Sequence, residues 1–287
     1  MSNYASTKST FADSGIKPSK RLGQNFLVDK NALKKLADAA ELTKDDIVLE
    51  VGAGTGTLTV ELAKRAKRVI AVEKDRDLIP LLRDAIKKFE NVQIAQGDIL
   101  KLTIDNLPLT IDKADKGRGS MVNGQWSMVG NIPYYLTAPL IRIFLETENP
   151  PQAMTLMVQK EMAQRICAKP PDMSILAVSV QVYAKPEIVS YISRSAFWPQ
   201  PKVDSAIIKI TPKHSGQLSI VNCQLFFAIV KAGFSSPRKQ LINNLSRGLG
   251  LSRKETEQWL LASDIAPERR AETLTVKEWI TLTRNML

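Results

Sequence analysis

From about Ile47 onward, short runs of apolar residues alternate with segments in which apolar residues recur at helical spacing. Short apolar runs are typical of buried strands, and apolar positions three or four residues apart are typical of helices with one buried face. Regular alternation of the two predicts a parallel sheet with crossover helices. The predicted strands are Ile47–Val51, Val69–Glu73, Val92–Ala95, a strand containing Met128 and Val129, and Met154–Val158.

The helical spacing falls between these strands, so the first part of the chain is predicted to be a doubly wound, Rossmann-like α/β fold. Ser174–Tyr183 fits either period and is predicted as helix or strand. The predicted helices of this part are Leu58–Ala66, Leu78–Phe89, Pro139–Glu146 and a helix around Glu161.

Polar stretches divide the chain. Thr103–Trp126 has no periodicity and is predicted to be a long surface loop. A short linker, Lys213–Gly216, precedes four helical patterns that continue to the C-terminus. The predicted organisation is a disordered tail at 1–16, an α/β domain at 17–212 and a small all-helical domain at 213–287. Two residue pairs in the last domain have capping-box spacing, Ser252 with Glu255 and Thr275 with Glu278.

The charge of the chain favours a polyanionic partner. Forty Lys and Arg residues outnumber 29 Asp and Glu residues, which leaves a formal charge of +11. RNA, DNA and an acidic membrane surface all fit this excess. No stretch approaches the ~20 apolar residues that span a bilayer. The two cysteines, Cys167 and Cys223, have no metal-ligand spacing with each other or with His214, so we expect a reduced, cytoplasmic protein without a metal.

A glycine-rich segment, Glu50-Val-Gly-Ala-Gly-Thr-Gly56, stands where the first strand meets the first helix. Glycines there let the backbone approach a ligand closely. A dinucleotide-binding fingerprint would have glycine or alanine at position 57, where this chain has Thr57, so the spacing favours S-adenosylmethionine over NAD. Glu73 ends the next strand and suits the ribose hydroxyls of a cofactor, and Asp98 follows the third strand and suits the adenine amino group. A chance glycine turn with surface acids is the alternative.

The tetrapeptide Asn131-Ile-Pro-Tyr134 follows the fourth strand and indicates the methyl acceptor. An adenine amino group is a poor nucleophile, so its chemistry needs acceptors for both N–H groups, which the Asn131 amide oxygen and a backbone carbonyl near Ile132 would supply. Pro133 fixes the local backbone, and the Tyr134 ring suits stacking on a flipped base. Taken alone, the tetrapeptide is equally well explained as an ordinary strand exit.

Together, these two motifs resemble the ribosomal RNA adenine dimethyltransferases, and the resemblance covers nearly everything from Lys17 onward. It extends to the N-terminal motif Lys20-Arg-Leu-Gly-Gln-Asn-Phe-Leu27 and to Phe197-Trp-Pro-Gln-Pro-Lys-Val-Asp-Ser205. Further matching segments are Val158–Glu161 with Ala163–Ile166, Arg238–Leu245 and Glu268–Leu274. The chain departs from the family pattern in its longer loop at 103–126, in Ile132 for leucine and in the segment Ala168–Met173.

The resemblance implies a class I methyltransferase with a helical C-terminal domain. Its substrate would be two adjacent adenosines in the 3′-terminal hairpin of small-subunit rRNA, within a ribosomal particle, and its methyl donor S-adenosylmethionine. We expect a monomer. The implied cofactor residues are Asn25, Leu27, Gly52, Gly54, Glu73, Asp98 and Asn131, and the implied catalytic residues are Asn131, Ile132, Pro133, Tyr134 and Phe197.

Several of these residues also fit less specific roles. An aromatic residue before two prolines, such as Phe197, is more often packed on the core than used as a base platform. Lys20, Arg21, Arg238 and Lys239 are predicted phosphate contacts, although single basic residues more often form a solvated face. Two alternative functions share much of the pattern: a large-subunit rRNA adenine methyltransferase that confers resistance, against which the C-terminal half argues, and a ribosome-assembly factor that only binds RNA.

Overall fold

The computed structural model describes residue 11 and residues 13–102, 126–213 and 222–286. The predicted loop at 103–126 therefore lies outside the described residues except for Trp126, which is in a strand. Most of the predicted tail and positions 214–216 of the predicted linker also lie outside them. The strands are β1 (Phe26–Leu27), β2 (Ile47–Val51), β3 (Arg68–Glu73), β4 (Val92–Gln96), β5 (Trp126–Asn131), β6 (Met154–Gln159), β7 (Ala184–Ile192), β8 (Phe197–Trp198) and β9 (Ser205–Pro212).

Within the described ranges, seven strands form one sheet in the order β4-β3-β2-β5-β6-β9-β7. The five strands from β4 to β6 are parallel, and all five correspond to predicted strands. The strand order reverses at β2, which pairs with β3 on one side and β5 on the other. Open parallel sheets bind ligands at the carboxyl ends of the strands beside such a reversal, so the fold places a binding crevice there.

The far edge of the sheet was not predicted. β9 pairs antiparallel with β6, from Met154 opposite Ile210 to Gln159 opposite Ser205, and β7 lies beyond it. The first half of β9, Ser205–Ile208, is buried at every position. A strand buried on both faces lacks the alternation that distinguishes a strand from a buried helix, which explains the omission.

The predicted helices are present, with their ends shifted by one to three residues: one begins at Thr137 instead of the predicted Pro139, and another ends at Ala63 instead of the predicted Ala66. The helix Lys30–Ala39 was not predicted. Ser174–Tyr183, ambiguous by period, contains a helix whose N-cap Ser174 accepts from the Ala177 N–H at 3.2 Å. Both predicted capping boxes are formed. Nowhere in the described ranges is a helix long and apolar enough to cross a bilayer. The helices are α1 (Lys30–Ala39), α2 (Thr57–Ala63), α3 (Ile79–Ile86), α4 (Thr137–Leu145), α5 (Lys160–Ile166), α6 (Ile175–Gln181), α7 (Cys223–Gly233), α8 (Leu241–Leu249), α9 (Arg253–Ala262) and α10 (Val276–Arg284).

The chain forms two compact units. One comprises 1–163 and 187–212, and the other comprises 164–186 and 213–287. The second unit thus takes in α6 and its flanks, which the predicted boundary at 212 assigns to the α/β domain. The reason is hydrophobic: Ala177 and Val178 of α6 are fully buried in the same core as Phe226 and Ile229 of α7. Burial against α7 determines where this segment belongs.

Part of the predicted tail is packed. Phe11 is 3% exposed, and its ring centroid lies 4.8 Å from that of Phe26 and 5.1 Å from that of Trp198. Burying an aromatic ring in this way stabilises a protein by roughly 1.5–3 kcal/mol. The prediction of a disordered segment is therefore wrong at Phe11.

We predict that Gly233→Ala destabilises the second unit. A Cβ built on Gly233 would overlap Trp279 Cη2, and Trp279 is fully buried. Overpacking of this kind costs about 1–3 kcal/mol in free energy of unfolding. Denaturant unfolding should show the loss, whereas Lys231→Ala, at an exposed position of the same helix, should change stability by less than about 0.5 kcal/mol. Equal stability of the two variants would contradict the prediction.

Candidate active site

One pocket of the first unit opens at the carboxyl ends of β2, β3 and β5, where the strand order reverses. Part of the N-terminal motif, from Leu22 to Leu27, forms another of its walls. The predicted site residues of this unit, apart from the basic ones, all line it: Asn25, Leu27, Gly52, Gly54, Glu73, Asp98, Asn131, Ile132, Pro133, Tyr134 and Phe197. The structure therefore brings together residues that are far apart in the sequence.

The glycine loop follows β2 in a conformation that other residues rarely adopt. Gly54 and Gly56 have φ values of +58° and +83°. A Cβ on Gly54 would lie 3.2 Å from the Phe26 ring, and one on Gly56 would lie 2.9 Å from Leu82 Cδ1. Glycine is needed at these two positions both for the backbone angle and for the close approach of neighbouring groups.

The Glu73 carboxylate holds this loop in place. Its Oε2 accepts from the Gly54 N–H at 2.7 Å and its Oε1 accepts from the Asp75 N–H at 2.7 Å. The side chain is largely buried, and this burial raises the pKa of Glu73 while the backbone N–H donors oppose the rise. Each oxygen retains a second lone pair, so binding of a ribose hydroxyl is compatible with these contacts.

A chain of hydrogen bonds continues from Asp75 to the N-terminal motif. Asp75 Oδ2 accepts from Gln24 Nε2 at 2.6 Å, and Gln24 Oε1 accepts from the Ser19 N–H at 2.6 Å. Neither Asp75 nor Gln24 was predicted as a site residue. Gln24 lies inside the N-terminal motif, but its partner is 51 residues away, and local sequence gives no sign of such a pairing.

Asp98 is paired with a residue that the sequence did not single out. Its Oδ2 lies 2.9 Å from Lys74 Nζ, and its Oδ1 accepts from the Leu100 N–H at 3.2 Å. The hydrogen bond from Lys74 lowers the pKa of Asp98. Asp98 is thus kept ionised at the rim of the pocket, with lone pairs left to accept from a ligand amino group.

Asn131 ends β5 with its amide group fixed. Its Nδ2 donates to the Asn25 carbonyl oxygen at 2.9 Å. A carbonyl oxygen only accepts, so the NH₂ side of the amide must face Asn25, and the acceptor Oδ1 remains for another partner. The N-terminal motif therefore sets the direction of this acceptor.

Ile132, Tyr134 and Phe197 differ in burial and in hydrogen bonding. Ile132 is 2% exposed, and its N–H donates to the Met157 carbonyl at 3.2 Å. The Tyr134 hydroxyl lies 3.4 Å from Ser205 Oγ. Phe197 is also only 2% exposed and shares a core cluster with Leu27, so most of its ring is packed against protein.

The predicted phosphate contacts fall in both units and do not line the pocket. Lys20 and Arg21 are exposed, and they directly precede the motif residues that line it. Arg238 and Lys239 are exposed in the second unit, just before α8. All four basic residues are open to solvent, as phosphate contacts must be.

A second carboxyl group lies beneath the glycine loop. Glu50 is fully buried, near the Thr59 hydroxyl, and neither of its oxygens has a hydrogen-bond partner within the described residues. Burial raises the pKa of Glu50 to about 8; the Thr59 hydroxyl opposes the rise, and the nearby Glu73 carboxylate adds to it. This pKa favours the protonated form of Glu50 at neutral pH.

The family of the chain follows from comparison with known proteins. The sequence profile of the family described as ribosomal RNA adenine dimethylase matches residues 15–286. The chain belongs to this family. It is 41% identical to the ribosomal RNA small subunit methyltransferase A of Alkaliphilus metalliredigens, over 93% of this chain and 91% of the relative. It is 40% identical to the protein of the same name from Clostridioides difficile, over 98% and 95%.

Solved structures agree with the family assignment. A dimethyladenosine transferase from Plasmodium falciparum matches with a TM-score of 0.73 and 27% identity, over 90% of this chain and 95% of that one. The 23S rRNA methyltransferase ErmE matches with a TM-score of 0.70 and 26% identity, over 91% and 99%. The predicted Rossmann-like fold and the resemblance are thus confirmed, and this rRNA adenine dimethylase is a methyltransferase.

We predict that Glu73→Gln weakens binding of S-adenosylmethionine about tenfold or more, even if the ligand never touches residue 73. Both Glu73 oxygens accept from backbone N–H groups, and an amide would turn its NH₂ toward one of them. Hydrogen bonds to a charged acceptor contribute roughly 1.5–3 kcal/mol. Calorimetric titration should show the loss, with Glu257→Gln, an exposed change on α9, binding as the wild type does. Unchanged affinity in Glu73→Gln would show that the loop does not depend on this carboxylate.

We also predict that Glu50 makes folding stability pH-dependent. Its pKa rises from 4.5 in the unfolded chain to about 8 in the folded protein, so over this range the folded state keeps a proton that the unfolded state loses. Stability should therefore fall as pH rises through this window, by up to about 1.4 kcal/mol per pH unit. Glu50→Gln should remove that part of the slope. Parallel stability curves for the variant and the wild type, measured by denaturant unfolding from pH 5 to 8, would exclude the idea.

Proposed function

We propose that this rRNA adenine dimethylase transfers methyl groups from S-adenosylmethionine to the N6 atoms of two adjacent adenosines. These lie in the 3′-terminal hairpin of small-subunit (16S) rRNA, within a ribosomal particle, and the modification is a step of ribosome biogenesis in the cytoplasm. The observation that carries the proposal is the fixed Asn131 amide, whose Oδ1 is left as an acceptor for an amino group.

The choice of the small subunit rests on the comparisons. The relatives named small subunit methyltransferase A share about 40% identity over nearly the whole chain, including the helical second unit. The large-subunit enzyme ErmE shares 26%. The higher identity over the full length favours the small-subunit substrate over the large-subunit alternative.

The pocket fits the proposed cofactor. Gly54 has no side chain, so a ligand can approach the backbone at the end of β2. A Cβ at this position would lie only 3.2 Å from the Phe26 ring. Glu73 and Asp98 provide carboxylate acceptors at the ends of the next two strands, which suit ribose hydroxyls and an adenine amino group. Asn25, Leu27 and Gly52 complete the proposed binding set. When bound, S-adenosylmethionine supplies an electrophilic methyl group.

At the acceptor side, protein groups make the amine reactive. The Asn131 Oδ1 and a backbone carbonyl near Ile132 would accept from the two N6 hydrogens, which draws the nitrogen lone pair out of conjugation with the ring. The Tyr134 ring holds the flipped base by stacking. Phe197 contributes from a buried position, so its role is to shape the pocket as well as to contact the base.

RNA affinity would come from the basic surface. Lys20 and Arg21 contribute next to the pocket, and Arg238 and Lys239 contribute from the second unit. Their contacts to phosphates are independent of sequence and weaken with salt. In this proposal the basic surface binds the RNA, and the pocket carries out the methyl transfer.

The first experiment is methyl transfer from labelled S-adenosylmethionine to purified, undermethylated small subunits, followed by nuclease digestion and nucleoside analysis. N6,N6-dimethyladenosine is the expected product. Transfer only to large-subunit RNA would favour the resistance-enzyme alternative. Binding to particles without transfer to either RNA would favour a pure assembly factor, an alternative that the complete acceptor site argues against.

We predict that Asn131→Ala lowers kcat by about 10²-fold, the size expected when one preorganised polar contact to the reacting group is lost. Particle affinity should change little, because the exposed basic residues remain. Filter binding and single-turnover transfer on the same preparation separate the two effects. Asn131→Asp is a matched variant: its carboxylate accepts but cannot donate to Asn25, so it should also be slow. An equal loss of affinity and rate in Asn131→Ala would contradict the assignment.

A further inference from the structure

Two tyrosines stand side by side at the pocket, and they differ in exposure. Tyr134 is partly buried, with its hydroxyl 3.4 Å from Ser205 Oγ. Tyr135 also lines the pocket but is 56% exposed. Only the first of them belongs to the Asn131–Tyr134 motif.

The Tyr135 ring lies beside the turn at the start of the N-terminal motif. A Cβ built on Gly23 would lie 3.8 Å from Tyr135 Cε1 and 3.7 Å from Pro133 Cβ, so the turn approaches the ring to within about the width of a methyl group. Gly23 has a φ of +63°, and its N–H donates to the Lys20 carbonyl at 3.1 Å. More than half of the Tyr135 side chain is exposed to solvent.

One cationic group lines the same pocket as this ring, and another stands in the turn beside it. Lys74 lines the pocket, and its side chain is about half exposed, with Nζ 2.9 Å from Asp98 Oδ2. Arg21 is exposed and lies two residues before Gly23. An exposed aromatic ring beside solvent-accessible cations is the arrangement that proteins use to bind single-stranded nucleic acid, with the ring stacking on a base and the cations meeting the backbone.

Base flipping creates a need for such a platform. When the target adenosine leaves its stack to enter the pocket, the neighbouring base loses a stacking partner, at a cost of a few kcal/mol. An aromatic ring at the mouth of the pocket is placed to replace that partner.

We propose that Tyr135 is the binding platform for the base next to the target adenosine. The inference rests on the proposed function and adds a second nucleotide subsite, at the mouth of the pocket. The ring lies on one side of the pocket, so for one of the two targets the base that it meets is the other adenosine, methylated or not. That base is a purine, and purines stack more strongly on an aromatic ring than pyrimidines do. Tyr135 thereby contributes to the choice of an adenosine pair over an isolated adenosine.

The first test compares Tyr135→Ala with Tyr135→Phe and Tyr135→Trp on undermethylated small subunits. Loss of one base stack should raise KM about tenfold in Tyr135→Ala. Tyr135→Phe and Tyr135→Trp keep a ring and should retain a KM near that of the wild type. Melting temperature and S-adenosylmethionine affinity should be the same in all four proteins. An unchanged KM in Tyr135→Ala, or an equal rise in Tyr135→Phe, would overturn the proposal.

The second test identifies the stacked base. Two reconstituted particles each carry uridine in place of one of the two adenosines, so that in one of them the remaining target has a poorly stacking neighbour on the side of Tyr135. On that particle the wild type should lose most of the advantage that it has over Tyr135→Ala on the natural particle. If Tyr135→Ala is impaired by the same factor on the natural particle and on both substituted particles, the ring does not hold the neighbouring base. Absence of N6,N6-dimethyladenosine when the wild type acts on the natural particle would instead refute the proposed function, so the two failures are distinguishable.

Discussion

The site depends first on the two hydrogen bonds that the Glu73 carboxylate accepts, from the Gly54 N–H and the Asp75 N–H. They connect the loop after β2 to the turn after β3, and the charge of a buried group makes such bonds stronger than neutral ones. The start of the loop is anchored by the Gly52 and Ala53 N–H groups, which both donate to the Val72 carbonyl. The carboxylate adds the contact that holds Gly54, and it does so before any ligand arrives.

The same network fixes the acceptor side of the pocket. Asp75 accepts from Gln24, and the residue after Gln24 offers its carbonyl to the Asn131 amide. The N-terminal motif therefore does more than form a wall of the pocket, because it also orients the amide that would meet the target amine. The glycine loop and the Asn131 amide are linked through three consecutive residues, Gln24 to Phe26, and the ring of Phe26 lies beside Gly54.

Features that depend on neighbouring residues in the sequence were predicted, and features that depend on partners far away in the sequence were not. Ile47–Val51 matches the structure at both ends, because a buried parallel strand followed by glycines has a local signature. β9 was missed because its first half is buried on both faces and shows no alternation, and α6 was ambiguous because burial in the core that contains Phe226 decides its state. In the site, Glu73 and Asn131 stand in recognisable motifs, whereas Lys74 and Asp75 act through partners 24 and 51 residues away.

The buried carboxyl groups of Glu73 and Glu50 differ in their hydrogen-bond donors. Glu73 has backbone donors on both oxygens, which favour its ionised form, whereas Glu50 has no hydrogen-bond partner among the described residues and a pKa raised to about 8. Each charge would disfavour the other. A proton on Glu50 thus removes a repulsion that would act on Glu73, and the negative charge is kept where hydrogen-bond donors can stabilise it. The acidic residue that begins the glycine motif supports the loop best when it is neutral.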